Sequence, residues 1–273
     1  MKAIAGKREL KMKNKEDISQ YNYLAKLLKK GMREDGRKPF EYRDISIETD
    51  VVSQANGSAR VKMGNTEIIV GVKVDVAKPY PDSPNSGVMM VNNELSPLSS
   101  PDFEFGPPRI KSIELARVVD RTIRESGTID TDKLCITPGE KVWMVFIDMY
   151  PVNSDENLFD AGALGAIAAL KTVKLPEYDE ETGQVNHKTR TKNALPLADE
   201  PLLCTFGKID GEMFVDPTKR EYDVLDARIS IGINKKGDIC AMQKGGEGSF
   251  TTDEIMTLVD KSVELGKKLR KHL

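Results

Sequence analysis

The stretch MFVDPTKREYDVLDARI (213–229) runs from a short apolar strand, Met213–Val215, into Asp216, with Glu221, Asp223 and Asp226 close behind. Carboxylates crowded just past a strand end suit metal-assisted or general-acid chemistry, because the strand holds the reacting group on a rigid base. A second candidate, YPVNSDENLFDAG (150–162), passes from a strand into a helix, where free backbone N–H groups can hold an anion. It carries Asp155, Glu156 and Asp160 and no Arg, Lys or His. Such side chains repel phosphate while suiting the helix dipole, so as an anion site the junction reads as disabled. A third is the glycine-rich MQKGGEGSFT (242–251) ahead of a helix start. Glu247 argues against an anion there, which leaves Gly246 and Gly248 to serve the turn.

In RIKSIELARVVDRTIRES (109–126), Arg117, Arg121 and Arg124 fall at i, i+4 and i+7 and stack on one helix face. Arginines in register present planar, permanently charged donors to phosphates, the main source of affinity for single-stranded RNA. The same face paired with Glu114, Asp120 and Glu125 would be merely solvated, which composition alone favours; the position just after a proline-rich loop keeps the phosphate reading open. A net charge of −2 gives no basic field over the molecule, so any nucleic-acid contact is local or shared with a partner. The basic N-terminus (Lys2, Lys7, Arg8, Lys11, Lys13, Lys15) reads as a solvated end rather than a binding arm.

Other chemistries lack their residues. His187 lies in a polar stretch and His272 is next to last, so neither is set for a Ser-His-Asp or Cys-His mechanism. Cys135, Cys204 and Cys240 are far apart with no CxxC spacing and read as buried thiols; no metal site and no cofactor are expected. Hydrophobic residues make up 39% and charged residues 31%, a globular profile. No apolar run approaches the ~20 residues that cross a membrane, and no apolar signal core is evident, so a cytoplasmic protein is expected.

These groups need elements to position them. Ile18, Tyr21, Leu24, Ala25 and Leu28 recur at helical steps before Gly31. After the turn-rich REDGRKP (33–39), strands are expected over 44–52, 59–63 and 68–76, with turns at Asn56-Gly57 and Gly64-Asn65. A further strand follows at 87–95, then a helix over 109–126 with apolar Ile110, Ile113, Val119 and Ile123, a buried strand over 141–150, and an Ala- and Gly-rich helix over 158–174 suited to close approach to a sheet. The polar, proline-punctuated 176–200 reads as a connecting segment. Strands over 202–206, 212–215, 224–233 and 239–243 precede a last helix opened by the capping box Thr251 to Glu254. Strands and hairpins before helices in each half give an α+β fold. The division is 1–31 tail and helix, 32–175 first half, 176–200 connection and 201–273 second half.

REDGRKPFEYRDISIETD, NGSARVKMGNTEIIVGVK, GPPRIKSIELARVVDRTIRES and the strand–acidic loop–strand of 213–233 together resemble the RNase PH family, over roughly 30–265. More narrowly they are similar to the non-catalytic RNase PH-like subunits of the archaeal exosome. The resemblance implies two βαβ-type halves with mixed sheets and helices packed on them. It implies a heterodimer with a catalytic RNase PH-like exosome subunit, three dimers in a ring, RNA-binding cap subunits, and single-stranded RNA as ligand. Active members degrade RNA from its 3′ end by phosphorolysis, which needs a phosphate-holding cluster and a carboxylic acid near the scissile bond.

Two departures decide the expectation. Active members carry a Gly-Gly-Thr-Arg or Gly-Ser-Arg sequence where this chain has Ser154-Asp155-Glu156-Asn157-Leu158, so the phosphate-binding arginine is missing. Their Asp-Leu-Asp-x-x-Glu-Asp cluster reads here Asp216-Pro-Thr218-Lys-Arg-Glu221-Tyr222. Threonine does not titrate near neutral pH and tyrosine ionises at about 10, so neither replacement is a proton donor. Asp216, Thr218, Tyr222, Glu156 and Asn157 are therefore expected to mark a degenerate active site with no catalytic residue, and Asp216 and Glu221 to structure the loop or an interface. The resemblance turns the 109–126 helix toward RNA, with Arg117 and Arg121 as first contacts and Arg109 and Arg124 behind them. The rival expectations are an exoribonuclease with an altered acid, Asp216 or Asp223, and an independent single-stranded RNA-binding module.

Overall fold

A computed structural model describes residues 15–179 and 182–273; Lys2, Lys7, Arg8, Lys11 and Lys13 lie outside the described residues. The elements run α1 (Lys15–Leu28), β1 (Ile45–Thr49), β2 (Gly57–Met63), β3 (Thr66–Ala77), β4 (Val88–Asn93), α2 (Ile110–Glu125), β5 (Cys135–Thr137), β6 (Lys141–Asn153) and α3 (Leu158–Thr172). The chain continues through β7 (Lys174–Asp179), β8 (Gln184–Ala194), β9 (Leu202–Ile209), β10 (Glu212–Val215), α4 (Lys219–Tyr222), β11 (Ala227–Ile233), β12 (Ile239–Gly246) and α5 (Thr252–Leu269). The α+β expectation holds.

The first sheet has the order β1-β2-β3-β6-β4, with β5 pairing β6. It is mixed, because β4 runs parallel to β6 while its other pairings are antiparallel. Alternation along β3 buries Ile68, Val70, Val72 and Val74 on one face, and β6 adds Val145, Ile147 and Met149. That face meets α3, and the small residues of α3 allow it: a Cβ on Gly165 would come within 2.8 Å of Val70 Cγ2. The second sheet, β10-β9-β11-β12, is antiparallel throughout rather than mixed.

Period-two alternation sorts the second sheet's two faces. Thr205 on β9 and Ser230 on β11 are joined by a 2.8 Å hydroxyl contact, and Thr205 bonds Asp160 of α3. Cys204, on the opposite face, donates to the Ser262 carbonyl of α5 at 3.8 Å. Helices α2 and α3 thus lie between the sheets and α5 covers the far face. One apolar cluster runs through both sheets and all three helices. Among the described residues no helix is long and apolar enough to cross a membrane.

Four local expectations are corrected. The 176–200 connection contains most of an antiparallel ribbon, β7–β8, which period reading misses because neither of its faces is apolar. Asn56-Gly57 is no hairpin turn. Asn56 is buried and accepts from the Val74 amide at 3.0 Å, while Gly57 starts β2 where a Cβ would meet the Ala169 carbonyl at 2.6 Å. The strand placed at 224–233 begins at Ala227 and is preceded by the single turn α4. Finally, Val119 and Ile123 are buried as expected, but Ile110 and Ile113 are exposed, and Leu115 and Val118 complete the buried face of α2.

Candidate functional site

Asp216 follows β10 in the left-handed backbone region (φ 53°) and is fully buried. Three arginines from the segment ahead of β1 converge on the loop it begins. Arg43 donates from its amide (3.0 Å) and Nε (2.9 Å) to Asp216 Oδ2 and from Nη2 (2.7 Å) to Oδ1. Arg37 Nη1 adds a 2.8 Å bond to Oδ2. Arg33 donates to Glu221 Oε1 (2.8 Å), to the Val215 carbonyl (2.7 Å) and to the Asp216 carbonyl (2.8 Å). Burial pushes the Asp216 carboxyl up, and the Arg43 hydrogen bonds and the two arginine charges outweigh it, so it sits below the usual aspartate range. A carboxylate so held is not a proton donor near neutral pH.

The neighbouring positions are equally committed. Thr218 caps α4, its amide and hydroxyl both donating to Glu221 Oε2 at 2.8 and 3.0 Å. The Tyr222 hydroxyl accepts from Arg228 Nη1 at 3.0 Å, and Lys111 Nζ lies 5.5 Å from its ring centre. Asp223 pairs with Lys219, and Asp226 lies apart, accepting from Tyr21 (3.2 Å) and the Asp210 amide (2.7 Å). Glu221 and Asp216 structure this loop, within the chain.

The strand–helix junction closes on the same point. Glu156 and Asn157 both take the left-handed region, at φ 57° and 52°. Asn157 Nδ2 donates to Asp216 Oδ1 (2.7 Å) and Asp160 Oδ2 (3.0 Å), so the two candidate stretches are in direct contact. Asp160 also accepts from the Thr205 amide (2.9 Å) and hydroxyl (2.7 Å) and from Tyr42 (2.9 Å). Burial nevertheless raises its carboxyl to about 6. Glu156 faces Lys111 at 3.5 Å, and burial pushes its carboxyl up against that lysine's pull. Between Glu156, Asn157, Tyr222 and Arg228 a cavity of about 30 Å³ remains, room for one or two waters.

The arginines of α2 sort themselves by partner. Arg109 pairs with Glu104, and Arg124 bonds Asp120 at 2.7 Å and the Met89 carbonyl at 3.0 Å. Among the described residues Arg117 and Arg121 have no acid partner. Both are exposed and line a groove of about 290 Å³ against Ala241, Met242 and Gln243 of β12. Of the MQKGGEGSFT glycines, Gly245 and Gly246 end β12, and only Gly248 lies in the bend beyond, its amide donating to the Asp226 carbonyl at 2.7 Å.

Reading the sequence missed Arg33, Arg37, Arg43, Lys111 and Arg228, and took Glu114 for a surface partner of the α2 arginines. Their partners are distant in the chain, up to 188 positions for Arg33 and Glu221, and no local period marks such pairs. The sequence offered only the arginine-bearing turn segment REDGRKP, with nothing in it to mark the loop it would meet.

Comparison with known proteins places this geometry. The chain is 51% identical to "Exosome complex component Rrp42" of Methanothermobacter thermautotrophicus over 88% of this chain and 89% of that one. It is 47% identical to the protein of the same name from Methanocella arvoryzae, over 92% and 94%. Among solved structures, "archaeoglobus fulgidus exosome with RNA bound to the active site" superimposes with a TM-score of 0.87 at 41% identity, covering 94% of this chain and 99% of that chain. "Archaeal exosome core" gives 0.82 at 40% identity, covering 94% and 98%. Residues 41–176 match domain 1 and residues 199–264 match domain 2 of the 3′ exoribonuclease family, so the chain belongs to the RNase PH family.

Proposed function

We propose that this chain is a non-catalytic subunit of a cytoplasmic RNA-degrading exosome. It pairs with a catalytic RNase PH-like subunit in a ring of three heterodimers under an RNA-binding cap, shapes the partner's site and grips single-stranded RNA. The observation that carries the inactive half is Asp216: the one acid left at the head of the old cluster is buried and chelated by Arg43 and Arg37. The exosome half is supported by the relatives named as exosome components and by the likeness to archaeal exosome cores. Arg117 and Arg121 of α2, which have no acid partner among the described residues, support RNA contact, and Arg109 and Arg124, already paired, stand behind them.

Phosphate-dependent RNA degradation tests this, using the purified chain alone and its complex with the catalytic partner. The chain alone should be silent and the complex active. Arg117→Ala with Arg121→Ala in the complex should weaken RNA binding and lower the salt slope, by ~1.4 if both contact phosphates of a single strand. Activity of the isolated chain that Asp216→Asn abolishes overturns the inactive assignment, and unchanged binding overturns the RNA contact.

A further inference from the structure

Beside the apolar packing of α2, its side-chain hydrogen bonds to the second sheet meet, among the described residues, at one carboxylate inside the pocket. Glu114 Oε1 accepts from Arg228 Nη2 of β11 and, at 3.1 Å, from Gln243 Nε2 of β12. Arg228 itself has almost no freedom. Its side chain is 4% exposed, its guanidinium carbon lies 4.4 Å from the Phe159 ring centre, and a Cβ on Gly245 opposite would come 2.7 Å from Nη2. A planar group held between an aromatic ring and a bare stretch of backbone has one orientation, and its Nη1 is spent on Tyr222.

One turn earlier on α2, Lys111 meets Glu156. Two cations and two carboxylates therefore alternate around Tyr222 and leave the pocket internally neutral. Glu114 stands three residues before Arg117 and seven before Arg121, on the same face of α2. Gln243, which bonds Glu114, also lines the groove into which those two arginines project.

We propose that Arg228 is a positioning residue: by holding Glu114 in the emptied pocket it fixes the rotation of α2, and with it the placement of Arg117 and Arg121 along the β12 groove. This rests on the reading that those two arginines grip RNA. A buried ion pair adds little stability over an apolar pair of the same size, while one fixed hydrogen-bonded pair can set the register of a helix. The degenerate pocket thus keeps a duty in RNA binding after losing its chemistry.

The test uses the complex with the catalytic partner and compares Glu114→Met/Arg228→Met with the parent, reading thermal unfolding, RNA affinity and its salt dependence. The double variant leaves no orphaned charge, so unfolding should shift by only a few degrees. RNA affinity should fall roughly tenfold with a salt slope lower by up to ~1.4, as for two misplaced phosphate contacts. Arg228→Lys, which can still reach Glu114, should recover part of both. If the double variant does not assemble, Glu114→Gln, which keeps shape and loses charge, should show the same losses in smaller measure. Unchanged affinity and slope overturn the proposal, provided Arg117→Ala/Arg121→Ala weakens binding in the same assay. If that variant also has no effect, the RNA-contact reading fails instead, and the positioning role with it.

Discussion

Asp216 and Asp160 lie in one hydrogen-bonded group joined by Asn157, yet their proton affinities move apart. Asp216 meets two guanidinium groups and falls below its ordinary value; Asp160 meets only neutral donors, and burial carries it to about 6. The folded chain therefore protonates Asp160 at a higher pH than the unfolded chain does. That contribution is fully present below about 4 and is lost as pH rises through 6, on the order of 2–3 kcal/mol across the window. Asp216 has the opposite sign: its contribution is present above the ordinary aspartate value and is lost as pH falls from there through its own lower one. Asp160→Asn should flatten the part of the stability profile between pH 4 and 6 that rises toward acid, seen in urea midpoints taken along that range. The sequence shows which acids stand in the pocket's two stretches. It does not show which remaining acid is neutralised, because the guanidinium groups that decide this lie more than 170 positions away.

Helices α2 and α3 answer to different constraints between the same two sheets. In α3 the helical period carries small residues, and both the helix and its close approach to a sheet were legible in the Ala and Gly content. Replacing Gly165 by Val would drive a branched side chain into Val70, already at 2.8 Å from where a Cβ would sit. Overpacking of this kind should cost about 1–3 kcal/mol, measured as a lower urea midpoint with circular dichroism otherwise unchanged. In α2 the helix was legible but its apolar face was misassigned at the first turn, where Ile110 and Ile113 point outward. Periodicity finds a helix without saying which turns are covered. The ribbon β7–β8 was illegible for a related reason: with no apolar face, its pairing leaves no periodic trace.

At the scale of the whole molecule the two halves share one core, since the cluster around α3 takes residues from both sheets. The single tryptophan, Trp143, lies on β6 of the first sheet, edge-on to Tyr178 at 6.0 Å. If the halves melt as one unit, its fluorescence and the far-ultraviolet dichroism of the whole chain should trace the same urea transition. Separate midpoints would mean that the second sheet unfolds alone. The α+β arrangement could be read from the order of strands and helices, whereas the shared core could not, because it depends on which faces of α3 each sheet covers.

The arginines ahead of β1 carry a consequence for the timing of assembly. Arg33 and Arg43 emerge from a ribosome early, and their carboxylate partners follow 188 and 173 residues later. At roughly 5–20 residues per second, that is a wait of roughly 10–35 s. Through that interval the first sheet can form, but the segment that will seal the loop remains hydrated, its charges unanswered. The folded chain is latched by residues 33–43 closing over a loop made more than 170 positions later. Synthesis of the 216–221 segment, rather than growth of the first half, should then set the moment at which that loop becomes rigid.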